Sequence, residues 1–564
     1  MAVVRVCLLA LLVFSFSAQA KKPSFENHYD RMAQVTADGR GAIASVNSIA
    51  TDVGMDILAR GGNAVDAATA VAFALGVVDS PNSGIGGGCF ILVHWANGKI
   101  EAIDGREMAP GKASRDMYVI DGKVDPQLSK TGALAIGIPG SVAALEYFQA
   151  KGGKLKWAEL IAPAAQIAEQ GFPIDDGYSR RLGWTAEHMR GFDASAKIFL
   201  DKNGEALKPG AHLVQTDLAK TYRQLAKQGS EYFYQGEFAK KVEAWMKQNN
   251  GIVTAEDFAH YRMVLREPVI SSFHGYQIVG FPPPSSGGAH VAQILNILDN
   301  FPLQQVAEDE FYHYTIEAMK LAFADRAYWM GDPDFSKVPK GIIDPAYGRQ
   351  LAKKIDPKKA VKVDSHGTPP NADSFFFNRH TTHIATADAQ GNWVAITTTL
   401  NTSFGSKVTI PGTGVLMNNQ MDDFSAQPGT ANAFGLLGDE ANSIQPGKRP
   451  LSSMSPTLVL LEDKPVATIG AAGGPTIINQ VVMGLLNRLV FNLPAEQALS
   501  RARVHHQWQP DRVLIDAYAP EDVKKSLQQR GHTLQDWPGF GATQMIVREK
   551  GKFTAVAEPR LQSR

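Results

Sequence analysis

The sequence predicts an α+β fold in which two mixed sheets carry helices on their outer faces. Three observations lead there. Hairpin signals occur near residue 97 and repeatedly in the last third of the chain, the stretch from about 140 to 350 has helical periodicity, and an alanine-rich apolar run begins at Ala64.

The alanine-rich run, AVDAATAVAFALGVV, follows Gly61-Gly62 and Asn63, a helix-capping residue type, and so reads as a buried helix. Next comes GIGGGCFILVHWANGKIEAIDGREMAP, where Asn97-Gly98 separates two apolar-rich runs, the strongest short hairpin signal, and Arg106 sits just past the second strand. IPGSVAALEYFQAKGG, KWAELIAPAAQIAEQG and EFYHYTIEAMKLAFADRAYWMGD repeat apolar residues at three and four spacing, as helices packed over a sheet do. Residues 353–380 are charged and proline-bearing and read as an exposed, mobile connector. Strands return beyond it: HIATA and WVAITTTL flank a loop at 388–392, TLVLL and VATIGA flank 462–464, and TQMIVRE and FTAVAE flank 550–552. No internal repeat or low-complexity tract interrupts this order.

The chain has 564 residues, a formal net charge of zero and 44% hydrophobic residues. It can therefore bury a large core, and it has no charge bias toward nucleic acid or an anionic membrane. Its first twenty residues, MAVVRVCLLALLVFSFSAQA, combine a basic start at Arg5, an apolar run and small residues at Ala18-Gln19-Ala20. That pattern predicts an export signal at 1–20, cleaved near Ala20, and a periplasmic or secreted protein. The rival reading, an uncleaved anchor, needs an apolar run of roughly 20 residues, which this one does not reach. Cys7 leaves with the signal and Cys89 is then alone, so no intramolecular disulfide forms and stability comes from the core.

The hairpin around 388–392 places hydroxyls together. If Ala387 pairs with Trp393, an antiparallel register places Thr381 opposite Thr399. A threonine hydroxyl is a poor nucleophile without a base, and one available base is the residue's own α-amine, with an ordinary pKa of about 7.7 to 8.0. Using it requires cleavage between His380 and Thr381, where the connector ends. Threonines are common in strands for their β-branching alone, so these two residues decide nothing by themselves.

The wider chain, from about Ala44 to the C-terminus, resembles the γ-glutamyltranspeptidase family of N-terminal nucleophile hydrolases. The resemblance is densest in DGREMAP, TTHIATAD, TLNTSFG, NNQMDDFS, KRPLSSMSPT, GAAGGP and VHHQW, which occur in the family's order. It implies a four-layer αββα sandwich and self-cleavage into a large subunit, 21–380, and a small catalytic subunit, 381–564, that together form one domain. Thr381 matches the nucleophile and Thr399 the hydroxyl that orients it. Asn401, Gln420 and Asp423 match positions that hold a substrate α-ammonium; Arg106, Ser452 and Ser453 match those that hold its α-carboxylate. A zwitterion suits such a set, because each charge leaving water costs several kcal/mol unless paired, and an arginine engages a carboxylate bidentately. Gly473 and Gly474, just before the apolar run PTIINQVVMGLLNRLV, resemble the oxyanion hole.

The expected activity is γ-glutamyl transfer and glutathione hydrolysis, with no cofactor and no metal. The expected partners are glutathione and other γ-glutamyl compounds, amino-acid or peptide acceptors, and the two subunits of one precursor as a heterodimer. A glutaryl (cephalosporin) acylase of the same family is the alternative enzyme, against which Asp423 and a long lid argue. A non-catalytic exported binding protein is the alternative from another class, against which Thr381 and Thr399 argue. Residues 428–448 resemble the family's lid loop, with Phe434 where many members carry tyrosine. His380 and His383 lack the further ligands of a zinc site. His505-His506 read as structural or as a subunit contact, GIGGGCF as close backbone packing because it lacks a P-loop lysine, and Ser452-Ser453-Met454-Ser455 as a binding rather than a nucleophilic cluster.

Overall fold

Alternation along the strands builds the protein. The computed structural model describes residues 30–370 and 383–563. Within them β1 (Ala33–Val35), β2 (Gly41–Ala44), β3 (Gly88–His94), β4 (Ile100–Gly105), β5 (Val264–Arg266), β6 (Val269–Phe273), β7 (Tyr276–Gly280), β8 (His383–Asp388), β9 (Trp393–Thr399), β10 (Thr457–Leu461), β11 (Lys464–Gly470), β12 (Gln544–Glu549) and β13 (Lys552–Ala557) make two large sheets. The first has the order β1-β2-β8-β9-β3-β4-β5 and the second β6-β7-β10-β11-β12-β13. Every pairing in both is antiparallel, where mixed sheets were expected. The local hairpins dominate, and among the described residues the parallel strand pair lies in a small third sheet, between Val513–Asp516 and Leu534–Trp537.

Period-two alternation sorts side chains into layers. Ile43, Ile91, Val93, Ile384 and Ile396 face a core outside the first sheet. Their neighbours Ala42, Ala44, Phe90, Leu92, Ala385, Trp393 and Ala395 face inward, against Val279, Leu458, Leu460, Ile546 and Phe553 of the second sheet. Phe90 stacks on Phe281 across this middle layer with ring centroids 4.2 Å apart. Small alanines on the inner face let the sheets approach, and the larger branched residues fill the helix side.

Outside the first sheet lie α1 (Ser48–Ala59), α2 (Ala64–Val78) and α3 (Asp176–Met189); outside the second lie α4 (Ser286–Leu298), α5 (Glu308–Trp329) and α6 (Thr476–Leu485). This is the four-layer αββα sandwich. As expected, α2 is buried along its whole length and opens with a capping box in which Asn63 accepts from Val65 and Asp66 while Asp66 reaches back to the Asn63 N–H. The GIGGG stretch is close packing: a Cβ on Gly86 or Gly87 would collide with the carbonyls of Leu416 and Thr399.

Residues 353–370, the described part of the connector, contain no helix or strand but are pinned where mobility was expected. Glu317 accepts from the Val361 N–H at 3.1 Å, Trp508 donates to the Val363 carbonyl at 2.8 Å, and Asp325 accepts from the Gly367 N–H at 2.6 Å. Its charged side chains point to water while its backbone finds buried partners, a distinction that composition does not carry. No helix among the described residues is long and apolar enough to cross a membrane.

Candidate active site

The hairpin register predicted for the threonines holds wherever it is described: Ala387 pairs with Trp393 and His383 with Thr397. His380 and Thr381, with the proposed cleavage site between them, lie outside the described residues. Thr399 ends β9, is 2% exposed, and shares the inner face with Trp393 and Ala395 by strand parity. Its Oγ1 accepts the Asn401 N–H at 2.7 Å, which leaves the hydroxyl proton available to another acceptor. Asn401 itself has φ +82° and donates through Nδ2 to the Asn419 carbonyl at 3.0 Å, so the chain turns sharply just after the strand.

Two groups of predicted residues emerge at this end of the sandwich. The first is a buried charge cluster. Arg106 is 0% exposed, and its Nη2 donates to Asp423 Oδ2 at 2.7 Å; Gln420 Nε2 donates to the same oxygen at 2.8 Å. Arg106 Nη1 lies 3.3 Å from Glu107 Oε2, and its Nε has no hydrogen-bond partner among the described residues. The residues expected to hold opposite ends of a zwitterion therefore hold each other. Ser453 joins through Arg326 of α5, whose Nη2 donates to Ser453 Oγ at 3.0 Å and to the Ser452 carbonyl at 3.4 Å, and whose Nε donates to Ser286 Oγ at 2.9 Å. Burial pushes the Arg326 guanidinium down to about 10, and the Asp423 carboxylate opposes that shift. Sequence reasoning missed Arg326. Its signal was the set of charges Lys320, Asp325 and Arg326 inside the otherwise apolar run KLAFADRAYW, where buried charges need partners.

A second arginine layer, also missed, stands behind the cluster. Asp104 Oδ1 accepts from the Arg106 N–H at 2.9 Å and from Arg449 at 2.8 Å, while its Oδ2 accepts from Arg266 at 3.1 Å. Burial alone would raise this carboxyl, yet the guanidiniums of Arg449 and Arg266 hold it below its ordinary value. They fix the chain at the point where Arg106 leaves β4.

The second group is glycine-lined. A cavity of about 370 Å³ is walled in part by Asn401, Thr402, Ser403, Phe434, Gly473 and Gly474. The two glycines have φ +135° and +60° and lie just before α6, and neither N–H donates a hydrogen bond to the described residues. A Cβ on Gly474 would stand 2.8 Å from the Phe434 ring, so Phe434, in the loop expected to act as a lid, packs directly on the glycine turn. Asn401, expected beside Gln420 and Asp423, belongs to this wall. Of the remaining candidates, His505 is bound to Asn479 at 2.6 Å and His506 to Asp511 at 3.0 Å, which is the structural reading. His383 is buried, and burial holds its imidazole down at about 3.

Comparison with known proteins decides the family. Residues 50–564 match the γ-glutamyltranspeptidase family. The chain belongs to it. A glutathione hydrolase proenzyme of Escherichia coli K12 is 41% identical over 566 residues, covering 99% of this chain and 97% of that protein. One from Bacillus subtilis strain 168 is 37% identical, covering 98% and 96%. The crystal structure of cephalosporin acylase from Bacillus halodurans superposes with a TM-score of 0.85 at 28% identity, covering 97% of this chain and 98% of that one. The γ-glutamyltranspeptidase match thus includes both groups of site residues, the charge cluster and the glycine turn.

Proposed function

We infer that this protein is a γ-glutamyltransferase and glutathione hydrolase that matures by cutting its own chain. The observation that carries the reading is the buried set of opposite charges around Asp423, matched in sign and donor type to an amino-acid head group. In the unliganded chain Arg106 and Asp423 neutralise each other. A γ-glutamyl substrate exchanges that one ion pair for two, its α-carboxylate taking Arg106 with Ser452 and Ser453, and its α-ammonium taking Asp423 with Gln420. No charge is then buried alone, which is the condition for binding a zwitterion out of water. The free Nε of Arg106 is a donor suited to the second carboxylate oxygen.

In this scheme the Thr381 hydroxyl attacks the His380 carbonyl and the acyl group shifts from nitrogen to oxygen, which frees the Thr381 amine; water then opens the ester, releasing the His380 carboxylate and restoring the Thr381 hydroxyl. That amine serves as base for the same hydroxyl. Attack on the γ-amide carbonyl gives a γ-glutamyl ester and releases the leaving amine, with Thr399 orienting the nucleophile. The N–H groups of Gly473 and Gly474 stabilise the oxyanion, and water or an amino acid or peptide takes the acyl group. The large and small subunits remain together as a heterodimer, exported after removal of the signal near Ala20. A glutaryl acylase is the less favoured reading, since its substrate has no ammonium to engage Asp423.

The test is intact-mass analysis of the purified protein together with release of anilide from a γ-glutamyl anilide. Fragments beginning at Lys21 and Thr381 plus anilide release are expected. An uncut chain that releases anilide at full rate would overturn the N-terminal threonine mechanism.

A further inference from the structure

The cavity beside Gly473 and Gly474 extends well past the glycines, and none of Arg106, Gln420, Asp423, Ser452 and Ser453 lines it. Its far wall carries charges of both signs. Asp79, at the end of α2, is 8% exposed and accepts from Asn82 Nδ2 at 2.7 Å through Oδ1, while its Oδ2 has no hydrogen-bond partner among the described residues. Arg181 of α3 lines the same cavity half-buried and forms no ion pair among the described residues. Asp175 is there too, but one of its oxygens is occupied capping α3 through the Tyr178 N–H at 2.7 Å.

A buried carboxylate oxygen without a partner is costly, and it is uncommon unless a ligand completes it. It belongs to a residue that lines a space of the size that small-ligand pockets have, next to a guanidinium that forms no ion pair among the described residues. Resting on the γ-glutamyl reading above, we propose that this part of the cavity is the subsite for the acceptor, an amino acid or short peptide with free amine and free carboxylate. Arg181 takes its carboxylate, and Asp79 pairs with its ammonium and receives the proton that the nitrogen loses to become the attacking amine. The leaving peptide of glutathione, which carries the same C-terminal carboxylate, departs past the same arginine. Burial pushes the Asp79 carboxyl up to about 7, with the Arg181 charge pulling it back and Asp175 adding to the rise, so near neutrality an arriving ammonium draws it into the ionised form.

The experiment uses the mature enzyme with a fixed γ-glutamyl anilide. Anilide release and formation of the γ-glutamyl product are followed against increasing glycylglycine or glycylglycinamide, for wild type, Arg181→Gln and Asp79→Asn. Arg181→Gln is expected to raise the KM for glycylglycine by about tenfold or more, the loss of one charge-assisted contact, and to move the KM for the amide, which has no carboxylate, by less than twofold. Asp79→Asn is expected to raise both. Arg181 is half-buried and carries the test even if the buried Asp79 substitution lowers yield. Equal changes for glycylglycine and its amide in Arg181→Gln would overturn the subsite alone. Absence of anilide release by the wild type would overturn the γ-glutamyl reading and the subsite with it.

Discussion

The charge cluster around Asp423 and the cavity beside the glycine turn solve the burial of charge in opposite ways. In the charge cluster, Arg106, Asp423 and Gln420 are nearly inaccessible, with Asp423 accepting from Arg106 and Gln420 at 2.7 and 2.8 Å. In the cavity beside Gly473 and Gly474, Asp79 and Arg181 share a wall without an ion pair between them. A pre-paired cluster gives up little when its pair is exchanged for a ligand of the same charges, which favours one invariant head group. Unpaired charges at an open cavity tolerate partners of different length. The first arrangement fits the γ-glutamyl moiety that every donor shares, and the second fits acceptors that differ.

The most severe way to break the comparison is to remove what both sides serve. Thr381→Ala is expected to leave one uncut chain with no activity toward donor or acceptor, because alanine has no hydroxyl to attack the His380 carbonyl. Gel migration settles it, and two fragments of normal size would show that a separate protease makes the cut. Thr381→Ser keeps the hydroxyl and is expected to process, slowed by the freer rotamer.

Asp423→Asn strikes the paired side alone. Truncating one partner of a buried charge pair costs about 2 to 5 kcal/mol, roughly thirty-fold to several thousand-fold in kcat/KM for a γ-glutamyl anilide. The glutaryl anilide, which has no ammonium, is expected to lose far less. Equal losses for both substrates would remove Asp423 as the ammonium anchor. The variant also leaves Arg106 and Arg326 short of a counter-charge, so its melting temperature is expected to fall at every pH between 5 and 8, an outcome that a surface position would not give.

Gly474→Ala tests the glycine turn beside the cavity. The residue has φ +60°, where an L side chain costs roughly 1 to 2 kcal/mol, and the added methyl would press on the Phe434 ring at 2.8 Å. A loss on the order of a hundredfold in kcat is expected if the turn carries an oxyanion donor. Pairing the change with Phe434→Ala separates the causes. Recovery of most of the rate would assign the loss to the Phe434 contact; persistence would assign it to the displaced N–H groups.

Much of this was legible because it is local. Asn97-Gly98, Glu462-Asp463 and Lys550-Gly551 each turn a hairpin where the residues ask for one, and the register from Ala387 to Trp393 follows from loop length alone. The residue types around Asp423 were visible as motif matches. Their direct pairing was not, because Arg106 and Asp423 stand 317 positions apart and only the fold brings them together. Arg326, Asp104 and Arg449 were missed for the same reason, each being an ordinary charge until burial makes its partners obligatory. Asp79 and Arg181 match no motif, and only their place on one cavity wall and the unpartnered buried oxygen of Asp79 single them out.

That oxygen also gives the mildest prediction, one that sharpens the contrast through pH. The Asp79 carboxyl is raised from its ordinary 3.8 to about 7 by burial. Between those values the folded state holds a proton that the unfolded state has released, so this group's contribution to stability is full below about 3.8 and is lost as pH rises through 7. At 1.36 kcal/mol per unit the loss is on the order of 4 kcal/mol by pH 8. Asp79→Asn keeps the acceptor for Asn82 and removes the ionisation. The mature variant is therefore expected to exceed wild type in melting temperature only slightly at pH 5, where roughly 1.6 kcal/mol of the loss has accrued, and by a few degrees at pH 8, the reverse of the uniform fall expected for Asp423→Asn. Thermal scans of both variants at the two pH values decide the matter. A melting temperature for Asp79→Asn that tracks wild type across the whole range would mean that Asp79 is already compensated in the folded protein, and the cavity would lose the unpaired charge that distinguishes it from the charge cluster around Asp423.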